Sequence, residues 1–247
     1  MTADTNVSSR TESLQKKFLT KVYGWMAFAL VLSGASSFLG SKIIENLIVN
    51  ASQTQNSSIG SFITGTILVL AVVEIILVWS LSARIQKISK TSAIVGFVVY
   101  SIINGLTLST IFLTYTSQTI YTAFITAALT FIAMVLYGTF TKSNVRSAGK
   151  YLYMGVIGIC IASFVQWILM LVTHSSFDTL SVIISIATVV LFTGLTAYDS
   201  NKMLTISGHA DGSEMYEKAS IIGALELYLD FINIFLALLR LFGRNRD

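Results

Sequence analysis

Proline is absent from the 247 residues, cysteine occurs once, histidine twice, and only 11% of the chain is charged. Without proline, any helix kink must come from Gly, Ser or a π-bulge. One cysteine excludes a disulfide scaffold and any cysteine-based zinc or iron–sulfur site. Soluble domains carry roughly 25% charged residues, so this chain has too little charge to cover the surface of a water-exposed enzyme. Disorder is excluded too, because it needs low hydrophobicity and high net charge, and 54% of these residues are apolar.

What is present is long apolar blocks. A membrane-crossing helix needs roughly 20 mostly apolar residues. Seven stretches meet that requirement, at about 18–39, 62–81, 93–114, 120–140, 152–172, 180–198 and 220–241. The expectation is an all-α membrane protein in which 18–242 form a single seven-helix domain, 1–17 a polar cytoplasmic arm and 243–247 a short basic tail. A barrel is disfavoured, because barrel strands alternate whereas the run 67–78 is apolar on every side. The first block is too long for a signal-peptide core and reads as an uncleaved span.

Lys and Arg placement sets orientation. Twelve of the sixteen lie on the side of the N-terminus and four on the other, so the N-terminus is expected in the cytoplasm. Seven spans then put the C-terminus outside, against which Arg240, Arg244 and Arg246 argue; a re-entrant last segment would return it. The basic charge calls for the anionic inner leaflet of the bilayer as partner and needs no nucleic acid. Asn50 and Asn56 match the glycosylation pattern, which is common by chance.

Ionisable residues inside spans cost free energy and are functional candidates by default. In the seventh span Glu226, Asp230, Asn233, Ala237 and Arg240 recur at spacings of four, three, four and three. That places them on one face of a helix. A polar stripe on an apolar helix must point at protein or water, so this span should be largely enclosed. The stripe reads either as an interhelical hydrogen-bond seam or as a functional face. Asp230 favours function, since Asn would serve a seam without an ionisation problem. Asp199, near the end of the sixth span, reads either as a water-facing helix end or as a partner of Asp230 at similar depth. Two carboxylates within a few ångström cannot both ionise cheaply and titrate as a unit, which is a route to a pH gate without histidine. In the second span, Glu74 reads as lining an ion path or as a structural hydrogen-bond acceptor. Arg84, about 15 Å further along the helix, reads as a partner of Asp199 or as a snorkelling side chain. Asn104-Gly105 marks a close helix contact within the third span. Cys160 reads as a packing residue. Asp211, Glu214 and Glu217 do not have EF-hand spacing.

The string ELYLDFINIFLALLR at 226–240, following YDSNK at 198–202, resembles the Bax inhibitor-1 family, also called the transmembrane Bax inhibitor motif family. INGLTLS at 103–109, AALTFIAM at 127–134 and YGTFTK at 137–142 resemble bacterial members. The resemblance covers all seven spans. It implies six helices packed around a central seventh, in the bacterial inner membrane. It further implies a pH-sensitive calcium leak channel or exchanger, involved in stress response. Asp199 and Asp230 then form the sensor and a transient calcium site, Arg84 a latch, and Glu74 part of the ion path, to which Glu226 and Asn233 of the polar face are also assigned. Calcium would be the transported ion, with no bound cofactor. The competing reading is a non-conducting regulatory protein that binds another membrane protein, such as a quality-control protease. An enzyme is not expected. No span holds a histidine to serve an intramembrane serine protease, neither aspartate has the glycine-flanked setting of intramembrane aspartyl proteolysis, and the seventh span has no lysine for retinal.

Overall fold

The computed structural model describes residues 2–53, 58–141, 145–173, 175 and 177–243, with backbone alone for 2–11 and 146. Asn56, Lys142, His174, Arg244 and Arg246 lie outside the described residues. Among the described residues every regular element is helical: α1 (Thr2–Gln53), α2 (Ile59–Arg84), α3 (Lys90–Leu108), the single turn α4 (Ile111–Thr114), α5 (Ser117–Phe140), α6 (Val145–Thr173), α7 (Asp178–Ser207) and α8 (Glu214–Gly243). Among the described residues seven helical segments are long and apolar enough to cross a membrane, α3 and α4 counting as one. The chain is an integral, multi-pass membrane protein.

The helices outrun the apolar blocks that announce them. With no proline to stop it, α1 runs for 52 residues, about 78 Å at 1.5 Å per residue, against roughly 30 Å of hydrocarbon. The described part of the N-terminal arm is therefore helix continuous with the first span. The sixth span continues past 198 to Ser207 as α7. The third span breaks at Ser109-Thr110, where the Ser109 hydroxyl bonds back to Leu106 O and the helix restarts as α4.

The chain falls into two compact units. The first comprises Met1–Thr116 and Ala210–Tyr228; the second comprises Ser117–His209 and Leu229–Asp247. Helix α8 thus gives its first half to one unit and its second half to the other.

In the first unit α3 packs on both α1 and α2. Gly105 allows the approach to α1: a Cβ there would overlap Ser36 Oγ and the Ser33 carbonyl, and stand 2.9 Å from Ser33 Cα. This is the close contact that Asn104-Gly105 announces in the sequence. The ring of Tyr228 meets Phe97 and Tyr100 edge-on, with centroids 6.2 and 5.9 Å away. At one end Glu217 of α8 binds Lys21 of α1 at 2.6 Å and also binds Lys90 of α3. Glu214 accepts from the Lys90 backbone N–H at 3.0 Å, adding to the Ser89 side-chain cap on the Ser92 N–H at the α3 N-terminus.

In the second unit α7 packs on α5 and α6. Gly138 of α5 lies against the Ala197 backbone, and Asn201 donates to Gly138 O at 3.0 Å. On α8 Phe231 meets Phe124 and Phe131 of α5 edge-on, at 5.5 and 5.8 Å. Most residues in the apolar part of α8 are buried, whereas few in α2 and α6 are. The last helix is the enclosed one, as its polar stripe requires, while α2 and α6 are mostly exposed.

Candidate functional site

Asp199 and Asp230 both belong to the second unit, and each is only 3% exposed. Because α7 continues eight residues beyond Asp199, that carboxyl sits about 12 Å from the helix end and does not face water there. Its neighbours are held by α5: Gly138 admits Ala197, and Asn201 reaches back to Gly138 O. The same α5 grips α8 one residue after Asp230, through the Phe231 ring. One helix therefore positions both acid-bearing helices. A buried carboxyl in an apolar helix bundle is costly unless it is protonated, paired or solvated. Two such groups on consecutive helices can take up and release protons, or hold a hard cation between oxygens.

The polar stripe on α8 is graded. Asp230 and Ala237 are buried, Glu226 and Asn233 are half-buried, and Arg240 is exposed. The Asn233 amide nitrogen donates to Leu229 O at 2.8 Å within its own helix. Arg240 stands in the last turn of α8, where a cation complements the helix dipole. Arg84 is the exposed C-terminal residue of α2 and belongs to the first unit, as does Glu226.

Glu74, which the sequence offers as an ion-path residue or as a structural hydrogen-bond acceptor, does accept hydrogen bonds here. It is half-buried midway along α2 and takes hydrogen bonds from two side chains of α3, Asn104 Nδ2 at 2.8 Å and the Thr107 hydroxyl. Asn104 Oδ1 in turn accepts from Tyr228 Oη of α8 at 2.7 Å. Tyr228 Oη lies 2.7 Å from Ser33 Oγ of α1, which donates to Ser101 O of α3 at 2.7 Å. Four helices thus meet in one polar chain within the first unit. The mid-span Asn104 and the acceptor reading of Glu74 are the sequence signals for it. Tyr228 packs through its ring on Phe97 and Tyr100, and its hydroxyl adds a hydrogen bond from α8 to α3.

The acidic stretch before α8 is also occupied. Gly212, with φ of 81°, makes the left-handed turn that only glycine adopts cheaply. Hydrogen bonding from Ser213 holds the Asp211 carboxyl below the usual carboxylate range. The hydrogen bonds from Lys21 and Lys90 hold Glu217, ahead of the apolar part of α8, down to about 2. Among the described residues no three His, Cys, Asp or Glu side chains gather into a metal-binding group. A cation would meet carboxyls singly or in a pair.

Comparison with known proteins joins these features to a family. Residues 15–247 match the family model described as Inhibitor of apoptosis-promoting Bax1. The chain belongs to the Bax inhibitor-1 family. It is 37% identical over 234 residues to the inner membrane protein YbhL of Escherichia coli K12, covering 93% of this chain and 92% of that one. It is likewise 37% identical over 240 residues to an uncharacterised protein of Borreliella burgdorferi, covering 95% and 94%. A Deinococcus radiodurans protein is 34% identical over 232 residues, covering 94% and 92%. Both the membrane character and the whole-chain extent of the resemblance thus agree with what the sequence motifs imply.

Proposed function

We propose that this protein is a pH-sensitive cation leak channel or exchanger, with calcium as the transported ion, gated by Asp199 and Asp230. The observation that carries the reading is that both carboxyls, on consecutive helices of one unit, are 3% exposed inside an apolar bundle. Buried carboxyls at such positions are costly to keep, and a proton-operated gate is a role that would account for them. When protonated, two carboxyls hydrogen-bond and hold their helices together; when ionised, they repel or take a cation. Glu74, Glu226 and Asn233 would supply polar surface to the ion path, and Arg84 would act as a latch on the acid pair. The setting we assign is the inner membrane of a bacterium, with the N-terminus in the cytoplasm. The inner-membrane character of the relative YbhL and the twelve-to-four distribution of Lys and Arg support that setting.

The test is calcium entry into proteoliposomes as a function of pH. Entry through the intact protein should change with pH, and Asp199→Asn and Asp230→Asn should each flatten the profile. Purified protein that passes no calcium at any pH, yet co-purifies with another membrane protein, would favour a non-conducting regulatory role instead.

A further inference from the structure

The polar chain of the first unit has one contact more than its hydrogens can serve. Ser33 Oγ to Ser101 O, Ser33 Oγ to Tyr228 Oη, and Tyr228 Oη to Asn104 Oδ1 are three contacts of 2.7 Å. Ser33 and Tyr228 bring one hydroxyl hydrogen each. With the Asn104 nitrogen turned to Glu74, one of the three contacts must set two oxygens together with no hydrogen between them. An amide has nearly the same shape either way round. Turned over, Asn104 Nδ2 donates to Tyr228 Oη, Tyr228 donates to Ser33, and Ser33 donates to Ser101 O. Every contact on that side is then served. The amide oxygen now faces Glu74 Oε2, and that 2.8 Å contact holds only if Glu74 itself carries a hydrogen.

We infer that Glu74 holds a proton in this arrangement, and that Asn104 and Tyr228 are positioning residues that transmit its loss to α1 and α8. Other groups around Glu74 agree. Among the described residues no Lys or Arg forms an ion pair with it, and an ionised acid mid-span without a cation is costly. From α3 the titratable neighbour is Tyr100, and from α8 it is Tyr228, with Glu226 two residues earlier. From α1, Ser33 reaches the group through Tyr228. When the proton leaves half-buried Glu74 for water, the amide turns back, and Tyr228 swings its hydrogen to Asn104. Ser33 is left with one hydrogen for two acceptors, so α1 loosens from either α3 or α8. The result is a proton-operated link between helices that stands on the first unit alone and does not need the aspartate pair.

Infrared difference spectroscopy of the full-length protein in lipid nanodiscs, titrated across pH, tests this without any flux measurement. The intact protein should give a protonated-carboxyl C=O band that is missing in Glu74→Gln. In Tyr228→Phe the amide has no reason to turn over, so the band should vanish about one pH unit lower, a tenfold loss of proton affinity corresponding to one ordinary hydrogen bond. Ser33→Ala, which trims a single hydroxyl, should shift it in the same direction. Absence of any Glu74-dependent band, or a band that titrates identically in Tyr228→Phe and Ser33→Ala, overturns the inference. Because the readout is a band and not an ion current, it separates from success or failure of the Asp199–Asp230 gate.

Discussion

Tyr228 Oη stands 2.7 Å from the side-chain amide of Asn104, fastening α8 to α3 two residues before Asp230. The same hydroxyl stands 2.7 Å from Ser33 Oγ on α1. The helix that carries one of the candidate gating acids is therefore anchored by hydrogen bonds as well as by packing. Tyr228→Phe keeps the ring contacts and removes both polar ones. The fold should lose about 1 kcal/mol, in the range of interhelical hydrogen bonds in membranes, read as a lower midpoint of thermal unfolding in detergent. A midpoint equal to that of the intact protein would mean the hydroxyl contributes nothing to holding α8.

Two glycines are expected to resist even a methyl group. A Cβ on Gly105 would stand 2.9 Å from Ser33 Cα, and one on Gly138 would stand 2.9 Å from Ala197 Cα. Backbone cannot yield as a flexible side-chain tip can, so Gly105→Ala and Gly138→Ala should each cost about 1–3 kcal/mol. Gly24, with nothing within 4 Å of its Cβ position, is the control. Gly24→Ala should be neutral or should stabilise by up to about 1 kcal/mol through helix propensity. Folded yield and thermal midpoint of the three variants check the ordering.

The clamp of Glu217 between Lys21 and Lys90 gives a pH signature with a definite sign. Folding lowers this carboxyl from its ordinary 4.5 to about 2, first through the Lys21 hydrogen bond and then through that of Lys90. A group lowered by folding stabilises above its unfolded value and ceases to do so as pH falls through the lowered one. The advantage of the intact protein over Glu217→Gln should be full at neutral pH, shrink below pH 4.5 and disappear near pH 2. Since the lysines are about half exposed, the effect should stay below about 1 kcal/mol and weaken with salt. Thermal midpoints of both proteins across pH measure it. A difference that persists near pH 2, or grows with salt, would contradict the clamp.

The seven spans were legible because crossing a bilayer imposes a length and an apolarity that few other constraints produce. Their ends were not. Asp199, Ser200, Asn201 and Lys202 end the hydropathy of the sixth span, yet α7 continues to Ser207, since Asn201 is fastened to Gly138 of α5 and no proline interrupts. The enclosed character of α8 was readable from the four-three spacing of its polar residues, whereas the gradation along that stripe depends on which neighbours cover each turn. Asn104 announced a close contact, but its partner Tyr228 lies 124 residues away. Lys21 and Glu217 are 196 residues apart. Pairings over such distances follow from topology, which no local pattern encodes, so Glu217 could be tested in sequence only against metal-loop spacing.

The most direct measurement of the gate is calcium entry into proteoliposomes holding intact protein, Asp199→Asn or Asp230→Asn, recorded at a series of pH values in parallel. The expected result is a pH-dependent rate for the intact protein and a rate insensitive to pH for both variants. Profiles for the two variants that overlay the intact protein would contradict the assignment of the buried acids as its proton-operated gate.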